Sequence, residues 1–118
     1  MIKGIGIDLI ELDRIKQSIK RNPRFVQRIL TRREQNCYDR MNDHRKIEFL
    51  AGRFAAKEAF AKAAGSGIGT LSFQDIEVLP NEQGAPEITV ESYNSLSIWV
   101  AITHSEQYAV AQVILEEQ

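Results

Sequence analysis

The sequence predicts an α+β domain with one strand at the start, helices that end in a long central helix, and antiparallel strands after it. Three observations carry this prediction. Residues 2 to 10 alternate like a strand, residues 43 to 64 repeat apolar side chains at the 3.6-residue period without a proline, and residues 73 to 115 break into short β-type runs separated by turn chemistry. With 118 residues, 43% of them hydrophobic, the chain is expected to form a single domain, 1–118, with a modest core.

Composition narrows the classes. No apolar run approaches the roughly 18 residues of a membrane span, so no membrane partner is expected. The opening MIKGIGIDLI is short in apolar residues, interrupted by glycine and closed by charge, unlike a signal peptide. The lone Cys37 allows no internal disulfide, has no zinc-type Cys-His spacing around it, and suits a cytoplasmic location. Net charge is only -1, but it is segregated. All 15 Lys and Arg lie at or before Lys62, against 8 acidic residues there, which leaves about +7. The remainder carries eight acidic residues and no Lys or Arg, about -8. Such a chain is complementary to itself, within one subunit or head to tail in a ring.

In the first strand, Ile5, Ile7 and Leu9 share one face and Gly4, Gly6, Asp8 and Ile10 the other. Glycine weakens a strand but lets a backbone or a ligand approach closely, and Asp8 stands on that glycine face. Its alternative role is a strand-end Asp that turns the chain into a helix. That helix is expected over Asp13 to Asn22 with Ile15 and Ile19 inward. Asn22-Pro23 reads as a cap and first turn for PRFVQRIL, and Thr31 with Glu34 as a capping box for a third helix anchored by Cys37, Tyr38 and Met41. Between Arg14 and Arg33 there are eight basic residues and no acidic one, a positive field that suits an anionic partner.

The central helix, Asp43 to Ala64, puts Ile47, Leu50, Ala51, Phe54 and Ala61 on one stripe, with Glu58 in its middle and Lys62 at its border. Phe49, Ala56, Phe60 and Ala63 form a second apolar patch. A carboxylate buried without compensation costs several kcal/mol, so Glu58 needs a cation. An internal ion pair with Lys62 or an arginine is one answer and a metal ion another. Gly65 to Gly69 follows the helix as a stop and a linker, and it lacks the following helix and Lys-Ser/Thr pair of a phosphate-binding loop.

Strands are expected over Phe73 to Leu79, Glu87 to Val90, Ser97 to His104 and Tyr108 to Leu115, with turns at Asn81 to Gly84 and Ser105 to Gln107. Ile98, Val100, Ile102 and His104 share a face. His104 is either a structural histidine or an anion donor, and His44 reads as a surface residue.

If Asp8 and Glu58 meet, two carboxylates converge without His or Cys, a donor set that suits Mg²⁺ rather than zinc. Magnesium commonly shares its site with phosphate oxygens, and Lys57 and Lys62 bracket Glu58, so a phosphorylated ligand is a sensible occupant.

GIGIDLIELDRI, FAAKEAFAKA and ITHSEQYAVAQV together resemble the holo-[acyl-carrier-protein] synthases, the short bacterial 4'-phosphopantetheinyl transferases, over nearly the whole chain. Ala101 departs from the pattern, in which serine is common just before the Thr-His pair. The resemblance implies the fold of that family and Mg²⁺-dependent transfer of the phosphopantetheine arm of coenzyme A to a serine of apo acyl carrier protein in fatty acid biosynthesis, leaving 3',5'-ADP. Asp8 and Glu58 match the metal ligands, and Lys62 the lysine that stabilises charge on the pyrophosphate. Arg53 and His104, with Lys57, are the candidate coenzyme A contacts, and the base for the serine proton lies between Glu58 and a water at the metal. An acidic carrier protein would dock on Arg14, Arg21, Arg24 and Arg28. The family's short members form trimers with sites between subunits, which implies that Asp8, Glu58 and Lys62 of one subunit face His104 of the next. The alternatives are a Mg²⁺-dependent phosphohydrolase, a scaffold with Glu58 paired internally, and a nucleic-acid-binding module using the 14–33 stretch, though that stretch lacks interleaved aromatics.

Overall fold

The computed structural model describes residues 1–65 and 71–118. Strand β1 (Ile2–Glu11) leads into helices α1 (Leu12–Arg21), α2 (Phe25–Ile29), α3 (Arg32–Asp39) and α4 (Asp43–Ala64). Strands β2 (Glu77–Pro80), β3 (Pro86–Thr89), β4 (Leu96–His104) and β5 (Tyr108–Glu117) follow, so the predicted α+β order holds.

The main sheet is antiparallel with order β1-β5-β4, and β2 and β3 form a separate hairpin. In the main sheet Asp8 pairs with Ala111 and Ala111 with Ile102, which puts all three on one face. That face also presents Gly4, Gly6 and Ile10 from β1, Ala109, Val113 and Leu115 from β5, and Ile98 and Val100 from β4. Helix α4 lies against it, and the two glycines of β1 explain how closely. A Cβ built on Gly4 would stand 1.9 Å from the carbonyl oxygen of Ala63, and one on Gly6 1.9 Å from that of Ala59. Only a strand without side chains at those two positions lets the helix backbone this near.

Burial along α4 follows from this sandwich. Leu50, Ala51, Ala55, Ala56, Ala59 and Phe60 are wholly inaccessible, with the sheet on one side and α1, α2 and β2 on the others. The helix opens on Asn42, whose Oδ1 accepts from Arg45 N–H at 2.9 Å, and closes on Gly65 at φ 77°, the left-handed cap expected of glycine. The rest of the predicted linker, residues 66–69, lies outside the described residues.

The opposite face of the sheet is apolar and uncovered. Ile5, Ile7, Leu9 and Trp99 are 57 to 60% exposed there, an unusual cluster of large apolar side chains.

Two expectations need correction. Phe73 to Asp75 is a 3-10 turn rather than the start of a strand, because the Asp75 carboxylate accepts from Ser72 N–H at 2.9 Å and Asp75 N–H bonds back to Ser72 O. The short polar side chain offers the backbone a local partner that competes with a sheet ladder. Likewise Asn22 does not cap a helix beginning at Pro23. Its side chain accepts from Arg24 N–H at 3.0 Å, closing a turn, and α2 begins only at Phe25. The Thr31–Glu34 capping box forms as expected, with Thr31 N–H to Glu34 Oε1 at 2.7 Å and Glu34 N–H to Thr31 Oγ1 at 3.3 Å.

Candidate active site

Asp8 lies on β1 and Glu58 and Lys62 on α4, and the glycine contact brings these elements together. Lys62 Nζ donates to Asp8 Oδ1 at 2.9 Å and to the Ile7 carbonyl at 3.0 Å. The lysine side chain stays half exposed, so its ammonium can still meet a ligand. Glu58 is one helical turn before Lys62. Among the described residues its carboxylate has no hydrogen-bond or salt-bridge partner. Burial, and then the charge of Asp8, raise its pKa above the ordinary carboxylate value, while Lys62 opposes them. Asp8 and Glu58 therefore stand near enough at the rim of the core to repel each other, with the Lys62 ammonium bonded to Asp8 and attracting Glu58 through charge.

The donor set fits a hard divalent cation. Both groups are carboxylates, and among the described residues no third Asp, Glu, His or Cys joins them in a ligand cluster. Zinc would ask for nitrogen or sulfur donors, whereas magnesium accepts two carboxylates and takes its other ligands from water and phosphate.

The remaining expected contacts lie elsewhere. Lys57 is not a ligand contact: it is fully buried, and its three donors are spent on Glu34 Oε1 at 2.6 Å, Ile29 O at 2.7 Å and Phe73 O at 3.0 Å. Being adjacent to Glu58 turns it about 100° round the helix, into the core instead of the site. Arg53 is half-buried over the Phe49 ring, 4.0 Å from its centroid, and donates through Nε to Val78 O at 3.3 Å. His104 is exposed at the end of β4, with Nδ1 3.3 Å from Glu48 Oε2. Glu48 is ten residues before Glu58, about 15 Å along α4, so one subunit does not unite His104 with the Asp8–Glu58–Lys62 group. Arg14, Arg21, Arg24 and Arg28 are all exposed on or beside α1 and α2, and among the described residues none forms a salt bridge.

Two charged clusters escaped the sequence reading. Glu48 gathers His44 at 3.4 Å, Arg45 at 3.1 Å and His104; burial raises its pKa, but the Arg45 hydrogen bond and the two imidazoles outweigh that and lower it. The second cluster is the fully buried Glu34–Lys57 pair. One signal for it was available, since Lys57 falls two turns after Leu50 on the inward stripe.

Residues 4–113 match the family model described as the 4'-phosphopantetheinyl transferase superfamily. The chain belongs to that superfamily. Among relatives, a holo-[acyl-carrier-protein] synthase of Oceanobacillus iheyensis is 56% identical over 116 residues, covering 98% of both chains. A holo-(acyl-carrier-protein) synthase from Bacillus anthracis, solved in complex with coenzyme A (3',5'-ADP), superposes with a TM-score of 0.93 at 46% identity, covering 100% of this chain and 99% of that one. The Helicobacter pylori synthase in complex with coenzyme A superposes with a TM-score of 0.84 at 35% identity, covering 95% and 99%. Within the superfamily this chain is a transferase of the holo-[acyl-carrier-protein] synthase type and shares the fold of these relatives.

Proposed function

We propose that this phosphopantetheinyl transferase, as one domain over 1–118, moves the 4'-phosphopantetheine arm of coenzyme A onto a serine hydroxyl of an apo acyl carrier protein. The observation that carries the reading is the convergence of Asp8 and Glu58 beside Lys62. The serine oxygen forms a bond to the β-phosphorus, the bond from that phosphorus to the bridging oxygen breaks, and 3',5'-ADP departs with the electron pair. Asp8 and Glu58 would hold Mg²⁺, which supplies Lewis-acid neutralisation of pyrophosphate oxygens when bound. Lys62, anchored by Asp8 and the Ile7 carbonyl, presents its ammonium to the same pyrophosphate and opposes charge gathering on the leaving oxygen. The serine proton would pass to Glu58 or to a water beside it. Arg53 and His104 are assigned to coenzyme A phosphates.

Arg14, Arg21, Arg24 and Arg28 are the proposed seat for the acidic carrier protein, which charge complementarity would steer and orient. The uncovered apolar face of Ile5, Ile7, Leu9 and Trp99 supports self-association, and we assign it to a homotrimer in which His104 of one subunit approaches the carboxylates of another. That arrangement answers the long separation of His104 and Glu58 within a chain. The described residues contain no helix long and apolar enough to cross a membrane. A cytoplasmic role in fatty acid biosynthesis suits the lone Cys37 and the carrier-protein substrate.

Intact mass spectrometry of an apo acyl carrier protein incubated with this protein and coenzyme A, with and without Mg²⁺, tests the reading. A Mg²⁺-dependent gain of one phosphopantetheine arm on the carrier is expected. Release of phosphopantetheine to water instead would point to a hydrolase, and an unchanged carrier with intact coenzyme A would overturn the proposal.

A further inference from the structure

The Glu34–Lys57 pair is a buried knot in which five segments meet. Lys57 Nζ ties α4 to Glu34 of α3, to the Ile29 carbonyl at the end of α2 and to the Phe73 carbonyl of the 3-10 turn. Glu34 in turn accepts from Thr31 N–H at 2.7 Å and, through Oε2, from Val78 N–H of β2 at 2.6 Å. Val78 is held a second time from α4, because its carbonyl accepts from Arg53, one turn before Lys57. The other side of the same helix is pressed onto Gly4 and Gly6 of β1. Helix α4 is thus gripped from two directions, and Glu58 is the residue immediately after the polar grip.

Stability alone does not explain a charged pair at this position. A buried ion pair contributes little that close-packed apolar side chains of similar volume would not, and such replacement often leaves stability level or higher. Directional bonds differ from apolar packing in that they fix rotation and translation of the helix that carries them. Here that setting decides where Glu58 and Lys62 stand relative to Asp8, and misplacement by about 1 Å at a reacting centre can cost about 100-fold in rate.

We infer that Glu34 and Lys57 are positioning residues that lock the rotational setting of α4, holding Glu58 at the distance from Asp8 that a shared cation and pyrophosphate require. The inference rests on the proposed transfer reaction for its kinetic readout and on the Asp8–Glu58 pair for its binding readout. Neither residue touches substrate, and both act through the helix.

The test uses Lys57→Met, which keeps side-chain length while removing the ammonium, and Glu34→Asp, which keeps the charge and shortens the reach. Thermal unfolding is measured first. Mn²⁺ affinity in the presence of coenzyme A is then read by electron paramagnetic resonance, alongside kcat and both KM values. In the folded variants Mn²⁺ affinity and kcat should fall together by about 10- to 100-fold, as when supports of metal ligands are removed, while KM for coenzyme A stays within about twofold. Wild-type Mn²⁺ affinity and kcat in a folded variant would show that the pair serves stability only and overturn the inference. A raised KM for coenzyme A with unchanged kcat would also overturn it, by making Lys57 a ligand contact. If Lys57→Met does not fold, Glu34→Asp carries the same readouts. Should the wild-type protein bind Mn²⁺ but transfer nothing, the proposed reaction fails while the affinity comparison still judges the pair.

Discussion

Gly6 faces the Ala59 carbonyl so closely that a methyl group on Gly6 would stand 1.9 Å from that oxygen. The contact registers β1 against α4 and places Asp8, two residues on, beside the Lys62 ammonium. Replacing Gly6 with alanine must push strand and helix apart, and overpacking typically costs about 1–3 kcal/mol, occasionally more. The variant should show a lower denaturant midpoint, and any folded fraction should have lost transfer activity because Asp8 has moved from Glu58. Wild-type stability with wild-type turnover would mean that the two backbones are not in contact.

Removing either carboxylate should abolish the reaction without unfolding the protein. Asp8→Ala and Glu58→Ala are expected to lower kcat by at least about 100-fold, with circular dichroism unchanged. Chelation by EDTA should do the same to the wild type, and added Mg²⁺ should restore it. Normal turnover in either variant refutes the assignment. Glu58→Gln should also raise the melting temperature of the metal-free protein, because it removes a half-buried charge that Asp8 repels.

If the exposed arginines of α1 and α2 seat the carrier protein as proposed, docking and chemistry are separable. Reversing Arg14 and Arg21 to glutamate should raise KM for the carrier protein about tenfold and flatten its further rise with added salt, leaving KM for coenzyme A near its starting value. Equal losses toward both substrates would remove the basic helix from the docking role.

Acid stability should depend on Glu48. Its pKa is lower in the folded protein than the usual 4.5, because Arg45, His104 and His44 together outweigh the effect of burial. A carboxylate depressed in this way stabilises the fold fully above its unfolded value and loses that contribution as pH falls through its folded one. Unfolding midpoints measured from pH 6 down to about pH 3 should therefore fall more steeply in the wild type than in Glu48→Gln. Parallel curves would show that Glu48 does not link the start of α4 to the end of β4.

The exposed outer face offers a direct test of assembly. If this face builds the proposed trimer, Ile7→Glu, which places charge in its centre, should leave only monomer in sedimentation and abolish transfer. A wild-type protein that sediments as a fully active monomer would dismiss the trimer.

The sequence alone determined the order of elements and the limits of α4, and it singled out Asp8 and Glu58, because periodicity and capping are short-range properties. The glycine after Ala64 and the Thr31–Glu34 box each act within one turn, so their signals survive in a linear reading. Gly4 and Gly6 announced a close approach without naming what approached. That the visitor is α4, and that Asp8 consequently meets Lys62 across 54 residues of chain, is a matter of packing. Lys57 shows the limit most clearly. In sequence it is one more lysine beside Glu58. Its partner lies 23 residues away on another helix, and which side of α4 faces the core around it was decided by the sheet, the 3-10 turn and β2 together. Local propensity sets a helix's ends, but the tertiary fold sets its rotation, and the rotation sends Lys57 inward and Glu58 to the site.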